Sequence, residues 1–145
     1  MSRVLSRWGG RYLDGEETES LLKEARIARV CCHNEDGTIH ATPTWFKYEN
    51  EKIIIPITSD SRKARNVKRN NNVTILVDIV NPPKGVMIYG TVELEYGDMY
   101  PMSLTICEKY LEKEKAKSFA KMMVSETGID LMVTVIPERM ITFHF

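Results

Sequence analysis

The 145-residue chain is poor in cysteine, in tryptophan and in net charge. Its three cysteines (Cys31, Cys32 and Cys107) are an odd number and form no Cys-x-x-Cys pair. That excludes a disulfide-stapled scaffold and the usual zinc-binding spacings, and free thiols fit a reducing, cytoplasmic compartment. Twenty Lys and Arg balance twenty Asp and Glu, so neither a broadly basic nucleic-acid binder nor an acidic solvating tail fits. No apolar run nears the ~20 residues a membrane helix needs. The longest, Ile53-Ile54-Ile55-Pro56-Ile57, has the length of a strand. The opening MSRVLSRWGGRYLDGEE lacks the apolar centre of a secretion signal. What is there is a chain of single-domain length, 43% hydrophobic, able to bury a core without staples.

Residues 1–16 show no periodicity and read as an arm. Residues 17–26 read as a short helix with acids early and Lys23 and Arg26 late, an order that suits the helix dipole. Asp14 or Thr18 would cap it. Ile27–His33, Thr38–Tyr48 and Lys52–Thr58 read as strands joined by turns at Asn34–Gly37 and Glu49–Glu51, hence a meander. Ser61–Asn70 reads as a short helix, and Val73–Val80 and Val86–Tyr96 as further strands. In the second of these Val86, Ile88, Gly90, Val92 and Leu94 alternate with Met87, Tyr89, Thr91 and Glu93, which predicts one buried and one wetter face. Residues 102–124 read as one long helix stopped by Gly128. Asp130–Pro137 and Arg139–Phe145 read as closing strands, or one strand bent at Pro137. Helices do not alternate with strands, so a small antiparallel barrel with helices at its ends fits better than a doubly wound parallel sheet.

Two stretches carry the chemistry. In Thr58-Ser59-Asp60-Ser61-Arg62-Lys63-Ala64-Arg65-Asn66 a strand ends and a helix begins. Five cations (Arg62, Lys63, Arg65, Lys68 and Arg69) lie within Ser61–Asn70 without an acid. Free N–H groups and partial positive charge at a helix start, a guanidinium fork and an ammonium make a phosphate seat. A solvated basic helix capped by Ser61 has the same composition. In Ala41-Thr42-Pro43-Thr44-Trp45-Phe46-Lys47, Pro43 marks a strand edge whose backbone groups are open to a ligand. An ordinary edge strand with Trp45 in the core reads equally from those residues.

Together these stretches resemble the FMN-binding split-barrel family typified by pyridoxamine 5′-phosphate oxidase. In that family an Arg-x-Val-Leu-Leu-Lys-like run is followed after ten residues by Thr, a short loop, Ser-Arg-Lys and an Asn or Gln. Here Thr42–Lys47 stands in place of the run, and Tyr48–Ile57 leads to Thr58, Ser61-Arg62-Lys63 and Asn66. Asn71-Asn72-Val73, Val86–Glu93 and Val135-Ile136-Pro137-Glu138-Arg139 extend the resemblance over most of the chain from about residue 18. It implies a mainly β, six-stranded antiparallel split barrel with peripheral helices, spanning residues 1–145 as one domain. It also implies a homodimer with FMN at the interface and a small-molecule substrate. Arg62 and Lys63 would bind the FMN phosphate, and Thr58 and Ser61 phosphate or ribityl oxygens. Thr42, Pro43 and Thr44 would line the isoalloxazine with Ile57 beside it, and Asn66 would support the phosphate loop. Lys47 stands where a substrate-contacting Lys stands in the family.

The family's leading Arg is Thr42 here, and the C-terminal extension with its substrate-binding Trp and Arg is missing. The resemblance therefore implies an FMN-dependent oxidoreductase acting on an unidentified small molecule. One alternative is a deazaflavin-dependent reductase, whose longer acidic coenzyme tail would use Arg65, Lys68 and Arg69. Another is a non-catalytic flavin- or haem-binding module. Catalytic residues are not assigned. Neighbouring strand residues point to opposite faces, so Cys31 and Cys32 do not share a metal ion. Trp8 reads as an interface residue or part of a mobile arm, and His40 lies two residues before the ring-lining run.

Overall fold

The structure, a computed structural model, describes residues 4, 5, 10–24 and 26–145. Nine strands and four helices follow in chain order: β1 (Val4–Leu5), β2 (Gly10–Arg11), α1 (Gly15–Lys23), β3 (Ala28–His33), β4 (Ile39–Thr44), β5 (Lys47–Glu49), β6 (Lys52–Ile57), α2 (Arg62–Arg69), β7 (Asn72–Ile79), β8 (Lys84–Tyr96), α3 (Tyr100–Tyr110), α4 (Lys113–Ser125) and β9 (Leu131–His144). Every pairing is antiparallel. The sheet runs β1-β2-β9-β8-β7-β3-β4, and β6 joins through β9 and carries β5. Two strands are two-residue pieces near the start, and β4 and β5 are halves of one expected strand. Six main strands remain, as the split-barrel reading requires. No described helix is long and apolar enough to cross a membrane.

The break between β4 and β5 gives the barrel its split. β4 hydrogen-bonds to β3, whereas β5, two residues further on, hydrogen-bonds to β6. The ring is thus bridged at this point by the chain itself, at Trp45-Phe46. The free edge of β4 lies on one side of the split. The edge of Ile55–Ile57 on the other side is paired only with β9.

The core is the inward row of each strand. Val30 and Cys32, Ile53 and Ile55, Ile75 and Val77, Val86 and Ile88, and Val133 and Val135 are all buried. α1 plugs one end with Leu21 and Leu22, and α2 packs Ala64 and Val67 into the same core. Asp14 caps α1, its carboxylate accepting from the Glu17 N–H while Glu17 accepts from the Asp14 N–H. This reciprocal box satisfies two orphan donors and decides between the two expected caps.

The long helix expected over 102–124 is two helices. Leu111 leaves helical geometry and Glu112 caps α4, its carboxylate accepting from the Glu114 and Lys115 N–H groups. The bent hairpin has its own small core, where Cys107, Ala116 and Ala120 pack with Trp45, Leu104 and Met123. It also meets Pro56 of β6, which shares a cavity with Ile106, Phe119 and Met123. Ile53–Ile57 is apolar and buried at every position. The closing segment is a single strand, bulged at Glu138: Gly90 pairs with Pro137 but Tyr89 with Arg139.

Candidate functional site

The helix start at Ser61 is built by its own side chains. The Ser61 hydroxyl donates to the Thr58 carbonyl (2.8 Å) and accepts from the Ala64 N–H (3.1 Å). Ser59 is held by Asp130, which accepts from its N–H at 2.8 Å and its hydroxyl at 2.7 Å. The Arg62 and Lys63 N–H groups, the first two of α2, have no carbonyl partner within the helix. Of the expected donors, the serines thus shape the turn, and the open N–H groups belong to Arg62 and Lys63.

The five cations of α2 separate clearly. Arg65 donates to the Asp60 carbonyl (2.6 Å). Arg69 donates to the His33 carbonyl and the Asn66 amide oxygen, both at 2.8 Å. Lys68 lies 5.2 Å from the centroid of the Tyr96 ring. Among the described residues, the Arg62 and Lys63 side chains have no hydrogen bond or ion pair. Arg62 is exposed, whereas Lys63 is half-buried, and burial pushes its ammonium below the usual lysine range.

Asn66 works differently. It is buried, and its amide donates to the Asn34 side chain (2.9 Å) and to the Cys32 sulfur (3.5 Å). It ties α2 to the end of β3 and to the turn that follows.

On β4 the side chains alternate. Ile39, Ala41 and Pro43 face outward and are exposed, while His40, Thr42 and Thr44 are half-buried. In register, Thr42 lies opposite Val30 and His40 opposite Cys32, so this second row shares its side of the sheet with the buried residues of β3. The Thr42 hydroxyl oxygen is buried without a partner. Thr44 donates to the Trp45 carbonyl (3.1 Å). Ile57, buried on the facing edge, pairs with Leu131, and Thr58 follows it half-buried. Lys47 lies beyond the break, on the β5–β6 ladder, and is ion-paired with Glu49 at 3.1 Å. Cys32 is buried and Cys31 half-buried, in keeping with their opposite faces. Trp8 lies outside the described residues.

Two residues that the sequence does not single out hold the break. Tyr110 accepts from the Phe46 N–H (3.2 Å) and donates to the Arg26 carbonyl (2.6 Å). Lys109 donates to the Phe46 (3.1 Å) and Leu22 (3.3 Å) carbonyls. Phe46 is fully buried, so without α3 its backbone groups would be orphaned where the ladder stops. Nothing in the pattern of a Lys-Tyr pair on an amphipathic helix announces this role.

The family profile of pyridoxamine 5′-phosphate oxidase matches residues 15–129. The chain belongs to that family. Solved structures agree on the fold. A conserved hypothetical protein from Mycobacterium tuberculosis superposes with a TM-score of 0.75 at 18% identity, over 91% of this chain and 85% of that one. An F420 reductase gives 0.73 at 21% identity, over 88% and 97%. An FAD-binding protein from Mesorhizobium loti gives 0.67 at 18% identity, over 94% and 98%. No curated protein matches the sequence. Within this pyridoxamine 5′-phosphate oxidase family member, the half-buried unpaired Lys63, the open N–H groups at α2 and the orphaned Thr42 hydroxyl suit a group that combines a phosphate with hydroxyl-bearing atoms.

Proposed function

We propose that this chain is a flavin-dependent oxidoreductase that holds FMN in the split between β4 and β6. The observation that carries the reading is Lys63. A half-buried ammonium without an anion is costly, and a phosphate at the start of α2 would satisfy it together with two backbone N–H groups and Arg62. Thr42, Pro43 and Thr44 would line the ring from one edge and Ile57 from the other, with Thr42 supplying its unpartnered hydroxyl. Thr58, Ser61 and Asn66 keep the seat in shape. Bound FMN supplies hydride and electron transfer, while the protein binds, orients and shields it.

The site would be completed in a cytoplasmic homodimer. Ile39, Ala41 and Pro43 form an outward row on β4; in register Ala41 is continued by Cys31, Thr74 and Tyr89, and Pro43 by Arg29, Leu76 and Met87. This mixed face, apolar around Ile39, Ala41, Pro43, Leu76 and Met87 and carrying the Arg29–Asp78 ion pair, would suit a covering partner. The F420 reductase among the structural relatives keeps a deazaflavin coenzyme as the second reading. FMN is favoured because Arg65, Lys68 and Arg69, which a longer acidic tail would need, already have internal partners.

The test is cofactor retention after gel filtration, in the native chain and in Arg62→Ala/Lys63→Ala. Each lost charge-assisted bond costs about 1.5–3 kcal/mol, so the double variant should bind FMN about two to four decades more weakly with its fold intact. Equal retention by both proteins refutes the phosphate seat. Retention of a deazaflavin in place of FMN selects the second reading. Tight flavin binding without turnover on a panel of electron acceptors makes the protein a carrier.

A further inference from the structure

A cavity of about 190 Å³ lies at the end of the split. Its walls come from four elements and the chain break. Thr44 and Pro56 are its two lips, Trp45 belongs to the break, Ile106 comes from α3, and Phe119 and Met123 come from α4. None of these six side chains carries a charge, and the single hydroxyl among them, that of Thr44, is bonded to the Trp45 carbonyl. A charged group placed here would find no partner. An apolar cavity of about 150 Å³ takes up benzene, so this volume suits one aromatic ring with little to spare.

Two further features mark the cavity as a place for a ring. Trp45 is stacked on Tyr110 at 4.5 Å with planes 6° apart, and Phe119 tilts toward it at 5.2 Å and 36°. Phe119 is also 38% exposed and lines a second hollow on the outside of α4 with Leu111 and Met122. Phe119 therefore lines both the inner cavity and an outer hollow whose wall also carries Glu114, Lys115 and Ser118.

We propose that this cavity binds an uncharged, single-ring aromatic group of the substrate, beside the ring-lining residues of β4. This deepens the flavin reading and rests on it for the word substrate. A phosphate would find no cation inside the cavity, so any phosphate of the substrate must lie outside it.

Toluene is the probe, with benzoate as its charged counterpart, titrated into FMN-loaded protein labelled at the methionine methyl carbons. The Met123 signal is assigned with Met123→Leu. A saturable shift of Met123 with toluene, and none with benzoate, is the expected result. Phe119→Ala should weaken toluene binding at least fivefold. Phe119 is partly exposed, so this variant should fold, as unshifted signals from the other methionines would show. Should Ile106→Trp also fold, the filled cavity should show no toluene shift. The proposal is overturned if Met123 does not respond, or if it responds equally to benzoate. A response in protein that never retains a flavin-type cofactor overturns the substrate role. Flavin retention without a Met123 response overturns the cavity assignment and leaves the flavin reading standing.

Discussion

Lys63 sits deeper than a solubilising lysine needs to, and no acid of the described chain meets it. Its replacement should therefore separate folding from binding. Lys63→Met keeps the length of the stem and removes the desolvated charge, so thermal stability should hold or rise. FMN affinity should fall about 10- to 100-fold, the worth of one charge-assisted bond. Titration of FMN alongside a melting curve reads both, and a drop in stability would mean that Lys63 has a structural partner. Lys109 invites a different measurement. Burial pulls its pKa from 10.5 to about 8. Between those values the unfolded chain binds more proton than the folded one, so this group makes stability rise with pH through that window. Tyr110 and Tyr48, both pushed up to about 12, work in the opposite sense above pH 10. Melting curves from pH 8 to 10 should thus show an upward contribution in the native chain that Lys109→Met lacks. Parallel curves for the two proteins would contradict it.

Among the elements, the β8–β9 pair leaves no room for a side chain at Gly90. A Cβ added at Gly90 would lie 2.4 Å from the Ile136 carbonyl oxygen, beside the bulge. Gly90→Ala must push two strands apart and should cost about 1–3 kcal/mol, roughly 3–9 °C in Tm. Gly15→Ala, with open space around it, is the control and should leave Tm nearly unchanged. Much at this scale was legible beforehand, because alternation in Val86–Leu94, the turn at Gly37 and the helix start at Ser61 are local signals. The split at α3–α4 was not, since its cause is a Glu cap at Glu112 in a stretch without glycine or proline. The interruption at Trp45-Phe46 was hidden for another reason. A strand that changes partners keeps its extended backbone, and the groups that stabilise the change, Lys109 and Tyr110, lie more than sixty residues away in sequence. At the candidate site the order Thr, Ser-Arg-Lys, Asn exposed the helix start. It could not show which groups Asn66 bonds to, or that the Arg65 and Arg69 side chains have hydrogen-bond partners while, among the described residues, those of Arg62, Lys63 and Lys68 have none.

At the scale of the whole molecule, the described residues leave the outward sheet face open, with Ile39 57% and Tyr89 36% exposed. If a second copy covers it, Ala41→Arg in the outward row of β4 should shift the sedimentation coefficient from dimer to monomer. FMN retention should fall with it, because the β4 edge that lines the ring lies beside the same surface. A variant that stays dimeric would place the interface elsewhere. The lips of the split have a property of their own. About half the amides of a strand with one neighbour point away from it, so those of β4 and of Ile55–Ile57 that face the gap need no ladder to rupture before they meet water. In heavy water they would trade their hydrogens ahead of their alternate neighbours. A molecule lodged in the gap would then be written into the chain as a short pattern of slowed amides, every second residue on two facing edges.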